Sequence, residues 1–174
     1  MTTLPPVTQE RIRLRGEVVD GRLMSEPMDL RPEWIDFNGH LNMAFYGVLF
    51  DFGCSFGFEA LGLGDTYRAT TPYTSMTADF RIRYIREIML GDRVRSSFQI
   101  LKVGPKSFHF LQELYHVDGW LSATSETLNL NVDAAARRVA PYPPERLAAL
   151  KAMEAEHATL PVPDWVGAPF GVRG

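Results

Sequence analysis

The stretch EWIDFNGHLN, residues 33–42, places Asp36, Asn38, His40 and Asn42 immediately before a nearly continuous apolar run, MAFYGVLFDFGCSFGFEALG, residues 43–62. Residues 41 to about 61 have the length of a long helix. Their apolar side chains are spread around the wheel rather than along one stripe, which predicts a helix surrounded by protein. Gly53 and Gly57, four residues apart, leave a smooth patch. Each glycine costs up to ~1 kcal/mol of helix propensity, which close approach of a sheet or second helix would offset. LGLGD then ends the helix.

Outward from this segment, the periodicity changes. In TADFRIRYIRE, Phe80, Ile82 and Tyr84 alternate with Asp79, Arg81 and Arg83, as in a half-buried strand. MLGDRVRSSFQILKVG reads as a strand after a Gly-Asp turn. KSFHFLQELYHVDGWLSATSETLNLNVD reads as two strands hinged at Asp118-Gly119. PPERLAALKAMEAEH is a terminal helix with Pro144 in its first turn, followed by an irregular tail. Before the long helix, RIRLRGEVVDG and EPMDLRPEWID each supply a candidate strand, the second interrupted near Pro32. Residues 1–10 are expected to be loose, and a loop is expected around Thr70–Pro72. This order predicts an α+β fold in which a curved antiparallel sheet wraps one long helix, with a C-terminal surface helix.

The chain has 174 residues, enough for one domain with a sizeable core. Its net charge of −3 argues against a nucleic-acid footprint. Its single cysteine, Cys54, excludes an intramolecular disulfide and fits a reducing, cytoplasmic setting. There is no basic start followed by an apolar run, as a secretory signal requires. Residues 41–63 are long enough for a membrane span, but Asp51, Glu59 and the glycines favour a buried core helix.

The element order, with DxNGHxN opening the helix, resembles the hotdog fold and its 4-hydroxybenzoyl-CoA thioesterase-like branch. WIDFNGHLNMAFYGVLFD is the most specific segment. ADFRIRYIREIMLGDRV and ETLNLNVDAAARRVAPYPPE support it, so the resemblance covers a core of about residues 26–140; the terminal helix and tail occupy 143–174. WxDxNGHxN is also similar to a thioesterase subgroup associated with carnitine and betaine metabolism. The resemblance implies acyl-CoA thioester hydrolysis without a cofactor. It also implies a homodimer or a dimer of dimers with active sites between subunits; the charge and the helix composition above lead to the expectation of no nucleic-acid or membrane partner. Asp36 matches the family's catalytic carboxylate, a general base or nucleophile. His40 and Asn42 match positions lining the same cleft, but some relatives carry a later histidine where this chain has Met43.

The same chemistry follows from the residues. Thioester hydrolysis needs a base or nucleophile, donors for an oxyanion, and a dry acyl slot. Asp36 is the first; a carboxylate beside an apolar wall becomes a better base. The amides from about Gly39 to Asn42, at the positive end of the helix dipole, are expected to supply the donors. Asn38 and Gly39 sit at the same mouth, and Gly39 permits close approach. Phe45, Tyr46 and Phe50 are candidates for the slot wall. Arg81 and Arg83 suit the phosphates of coenzyme A, and Lys102 and Lys106 flank a turn for the same purpose.

Plainer readings stand beside these. Asp36 or Asn38 can serve as a helix N-cap. His40 can hold only a hydrogen bond, and Asn42 can satisfy a buried backbone group. Alternating arginines are often a solvated strand face. Cys54 reads as core packing, and His109, His116 and His157 lack metal-ligand spacing. A hydratase or dehydratase on the same fold, and a non-catalytic acyl-CoA-binding module, are the competing functions.

Overall fold

The computed structural model describes residues 14–169 and 171. The expected loose residues 1–10 lie outside that range. A short hairpin comes first: β1 (Gly16–Val19) and β2 (Arg22–Ser25). β1 falls within the strand expected over residues 11–21, whereas its partner β2 is not expected from the sequence. Asp20 (φ 50°) and Gly21 (φ 77°) both turn left-handed, the two-residue geometry that Asp-Gly favours. EPMDLRPEWID supplies only the two-residue β3 (Met28–Asp29). Pro32 then opens a 3₁₀ turn ending at Trp34.

Helix α1 (Met43–Ala60) follows, as expected. Asn42 caps it, its side-chain oxygen accepting the Ala44 N–H at 3.0 Å. It ends in a Schellman motif: Leu63 N–H donates to Phe58 O at 2.8 Å and Gly62 N–H to Glu59 O at 2.9 Å. Gly62 supplies the required left-handed φ of 66°. The loop expected near residue 70 is preceded by a short helix, α2 (Asp65–Thr70).

The long strands are β4 (Tyr73–Tyr84), β5 (Arg93–Val103), β6 (Ser107–His116) and β7 (Leu121–Asp133). The two-residue β8 (Arg138–Val139) and helix α3 (Pro144–His157) complete the fold. The eight strands form one antiparallel sheet whose main path runs β1-β2-β5-β6-β7-β4. β3 pairs with β5, and β8 with β7. This is the hotdog arrangement: a curved sheet around α1, with α3 packed against β5.

α1 is fixed to the sheet in two ways. Leu49 and Phe50 are fully buried, and the Gln112 side-chain amide donates to Phe50 O and to Ser96 Oγ, both at 2.9 Å. Gly53 and Gly57 lie where the helix meets Ser96 and Phe98 of β5, the close approach their spacing predicts. The helix is not surrounded by protein on every side, however. Ala44 and Asp51 are exposed, and the stripe Ala44, Gly47, Asp51 and Cys54 faces an open cleft. Among the described residues, no helix is long and apolar enough to cross a membrane.

Candidate active site

DFNGH folds as a tight turn. Ile35 bridges Leu41, Asp36 N–H donates to His40 O at 2.9 Å, and Gly39 N–H donates to Asp36 O at 3.0 Å. Gly39 adopts a left-handed φ of 81°, so this is a three-residue hairpin loop closed by a glycine bulge. Asp36 Oδ1 accepts the Asn38 N–H at 2.8 Å and lies 3.4 Å from the His40 N–H. Among the described residues, no donor meets Asp36 Oδ2. The carboxylate is thus half-buried, oriented through one oxygen and open at the other.

The donors differ from the sequence expectation. All four amides from Gly39 to Asn42 are already engaged: Leu41 N–H with Ile88 O at 2.8 Å, Asn42 N–H with Trp34 O at 2.9 Å, and the other two with Asp36. The helix starts later than its polar prelude suggests. Asn42 covers the second helical amide, and Phe45 N–H donates to Asn42 O at 3.0 Å. Among the described residues, the first helical amide, Met43 N–H, meets no acceptor. Tyr84 O–H donates to Met43 O at 3.2 Å, tying this helix start to the end of β4.

The other candidate residues separate into groups. His40 is held mainly by its backbone, in a bridge to Met89; its Nε2 is 3.9 Å from Glu87 Oε2, beyond hydrogen-bond length. The Asn38 side chain is exposed, and Asn42 is the helix cap. Phe45 stacks on Trp34 at 5.6 Å. Tyr46 is buried edge-on to Tyr84, and burial raises its pKa more than its hydrogen bonds to Ser122 and the Ile88 backbone lower it. It is a core residue more than a slot wall. Phe50 lines the cleft, opposite Phe80.

Arg81 and Arg83 are not gathered with these residues. Phe80, Ile82 and Tyr84 turn toward α1, so the arginines take the opposite face of β4. There Arg81 donates to Ala168 O, and Arg83 sits 4.9 Å from the Trp165 ring. Glu126 accepts Gly167 N–H at 3.0 Å and faces His109 at 3.0 Å, so the C-terminal tail is strapped to this face. Lys102 and Lys106 are exposed.

The cleft between α1, β4 and β7 has a volume of about 710 Å³ and is walled by Ala44, Gly47, Phe50, Phe80, Gln112 and Thr127. A second cavity, about 370 Å³, shares Asp51, Phe52, Cys54, Thr77 and Phe110 with it. Burial and the neighbouring Asp51 charge hold the Cys54 thiol protonated, and it donates to Asp51 O at 3.2 Å. Sequence reasoning missed Asp51, Thr127 and Gln112 as wall residues. Helical spacing from Ala44 through Gly47 marks Asp51 once the open stripe is known.

A model of the thioesterase-like superfamily matches residues 30–150. The chain belongs to that superfamily. It is 33% identical over 142 residues to a betainyl-CoA thioesterase of Pseudomonas aeruginosa, covering 81% of this chain and 89% of that one. Among solved structures, a Staphylococcus aureus protein determined in complex with CoA superposes with a TM-score of 0.79 at 24% identity, over 87% of this chain and 96% of that one. The DHNA-CoA thioesterase of the same organism gives 0.72 at 15% identity, over 80% and 95%. These two likenesses bear on the fold.

Proposed function

We propose that this protein hydrolyses an acyl-CoA thioester, with the acyl group in the cleft beside α1 and the thioester carbonyl at the helix N-terminus. The thioester-hydrolase class comes with family membership; the betainyl-CoA relative makes betainyl-CoA the first substrate to try. The observation that carries the residue assignment is the Asp36 carboxylate. One oxygen is pinned by the turn and the other is open, in a loop that runs directly into the uncapped Met43 N–H.

In this reading Asp36 acts by one of two routes. As a base, it takes a proton from water while the water oxygen adds to the carbonyl carbon. As a nucleophile, it adds directly and the resulting anhydride is hydrolysed. In both, the carbonyl oxygen gains negative charge facing the Met43 N–H and the positive end of the helix. On the base route the C–S bond then breaks to give the free acid, and the leaving thiolate of coenzyme A takes the proton held by Asp36. On the nucleophile route C–S cleavage expels the thiolate and leaves the anhydride, whose hydrolysis gives the free acid, restores the Asp36 carboxylate and supplies the thiolate's proton. The balance needs only acyl-CoA and water, with no cofactor. His40 and Asn42 hold the turn and the helix start in register.

A paired assembly suits this site. Among the described residues, β4 has a sheet neighbour on one side only. Met76, Phe80 and Tyr84 on this strand remain 51%, 41% and 49% exposed, and Phe37 beside Asp36 is 97% exposed. A second copy across this edge would cover apolar surface and close the cleft.

The test is thiol release from short, medium, aromatic and betainyl CoA esters by wild type and Asp36→Asn. Turnover of one class, lost in the variant while ligand binding persists, supports the assignment. Unchanged turnover in the variant removes Asp36 from the chemistry. Ligand binding with no turnover by wild type favours a binding module.

A further inference from the structure

The basic residues expected to meet coenzyme phosphates are occupied or lie elsewhere. Arg81 and Arg83 hold the C-terminal tail on the face of β4 turned away from α1. Lys102 and Lys106 flank the β5–β6 turn beside α3, where Lys151 Nζ donates to Val103 O at 2.7 Å. Arg22 pairs with Glu113, Arg93 with Asp29 and Arg95 with Glu17. Arg86 lies over the Trp120 ring at 4.0 Å, and Arg68 belongs to the smaller cavity.

Arg31 differs from all of these. Among the described arginines it alone lines the cleft beside α1, next to Ala44, Val48 and Phe52. It is exposed, and its Cζ lies 5.3 Å from the centre of the Trp34 ring. Trp34 is buried and stacks on Phe45 in the first turn of α1, so this platform is fixed to the helix start. The backbone is fixed as well. Arg31 O accepts the Trp34 N–H at 3.0 Å, and Trp34 O accepts the Asn42 N–H at 2.9 Å, one residue before Met43. Among the described residues, the guanidinium meets a ring and no carboxylate. A guanidinium stacked through its face keeps its N–H edge for an anion.

We infer that Arg31 is a substrate-binding residue at the cleft rim, taking a phosphate of coenzyme A and so setting where the thioester falls along α1. The inference rests on the reading that a coenzyme A ester occupies this cleft, and adds how its coenzyme end is held. An exposed cation at the rim suits the end of the substrate that stays at the surface, whereas the acyl end runs inward past Phe50 and Phe80. The planar fork meets two phosphate oxygens at once, and stacking on Trp34 reduces the rotamer entropy lost in pairing.

The experiment measures, by calorimetry, binding of free coenzyme A and of pantetheine, which lacks every phosphate, to wild type, Arg31→Gln and Arg31→Lys. Arg31→Gln should weaken coenzyme A about ten-fold or more, as loss of a charged hydrogen-bond pair implies, and leave pantetheine unchanged. Arg31→Lys should fall between. Coenzyme A affinity should also depend less steeply on salt in Arg31→Gln. In turnover, Arg31→Gln should raise KM for acyl-CoA with kcat kept, and leave the matching acyl-pantetheine unaffected. Unchanged coenzyme A affinity in Arg31→Gln overturns the inference. So does an equal loss for pantetheine, which would make Arg31 a support of the cleft wall, or a loss seen only with carboxylated acyl groups such as succinyl, which would place the anion at the other end. If no ester releases thiol while coenzyme A binding still depends on Arg31, the thioesterase reading fails and this one stands. If wild type does not bind coenzyme A, both fail.

Discussion

A Cβ added to Gly57 of α1 would sit 2.7 Å from the Phe98 ring of β5. Real side chains do not approach so closely, and the ring is itself fully buried. Gly57→Ala would gain about 1 kcal/mol of helix propensity but incur an overpacking cost of about 1–3 kcal/mol, plus any displacement of the helix. Urea unfolding should show a net loss of about 1–2 kcal/mol. A more stable variant would mean that α1 is free to move away from the sheet.

Met43→Pro tests the proposed oxyanion site separately from the fold. Proline suits the first helical position and removes one N–H. Asn42, at φ −62° and ψ 141°, already has the extended backbone that a following proline requires. Helix and melting temperature should be nearly kept, while kcat falls by about 10²–10³. Met43→Ala, which retains the amide, should stay near the wild-type rate. Equal rates for both variants would place the oxyanion elsewhere.

His157 predicts a pH dependence of stability. It is 4% exposed, and its Nδ1 accepts the Ile100 N–H at 2.9 Å, a bond that requires the unprotonated nitrogen. Burial lowers its pKa, opposed in part by the charge of Glu156. The unfolded chain therefore binds this proton at higher pH, near 6.5. The contribution is fully present above that value and is lost as pH falls from about 6.5 toward the lowered folded value. His157→Gln can keep an acceptor without titrating. Wild-type stability minus variant stability should decline below about pH 6.5 in thermal melts. A constant difference would rule out this coupling.

The long elements were legible because their signals are periodic. Phe80, Ile82 and Tyr84 alternate, Asp118-Gly119 marks a hairpin, and Gly53 and Gly57 share a helix face four residues apart. Short elements were not. Asp20-Gly21 carries the same turn signal as Asp118-Gly119, but its flanking strands are only four residues each and lack a sustained alternation. For the proposed site, the sequence displays the residue types but not their bonds. Nothing local reveals that Gly39–Asn42 spend their amides on Asp36, Ile88 and Trp34, because two of those partners are set by how the chain returns on itself. Arg81 and Arg83 were correctly placed on one face of β4. What covers that face, Trp165 and Ala168, lies more than eighty residues away.

The hairpin loop at Asp36–His40 has an evolutionary consequence. The orientation of its carboxylate depends on main-chain amides and one left-handed glycine, whereas the cleft is shaped by replaceable side chains such as Ala44, Phe50, Asp51 and Phe80. Under the proposed assignment, descendants of this sequence can acquire a new diet of acyl groups by exchanging cleft side chains, while inheriting the reacting end unaltered.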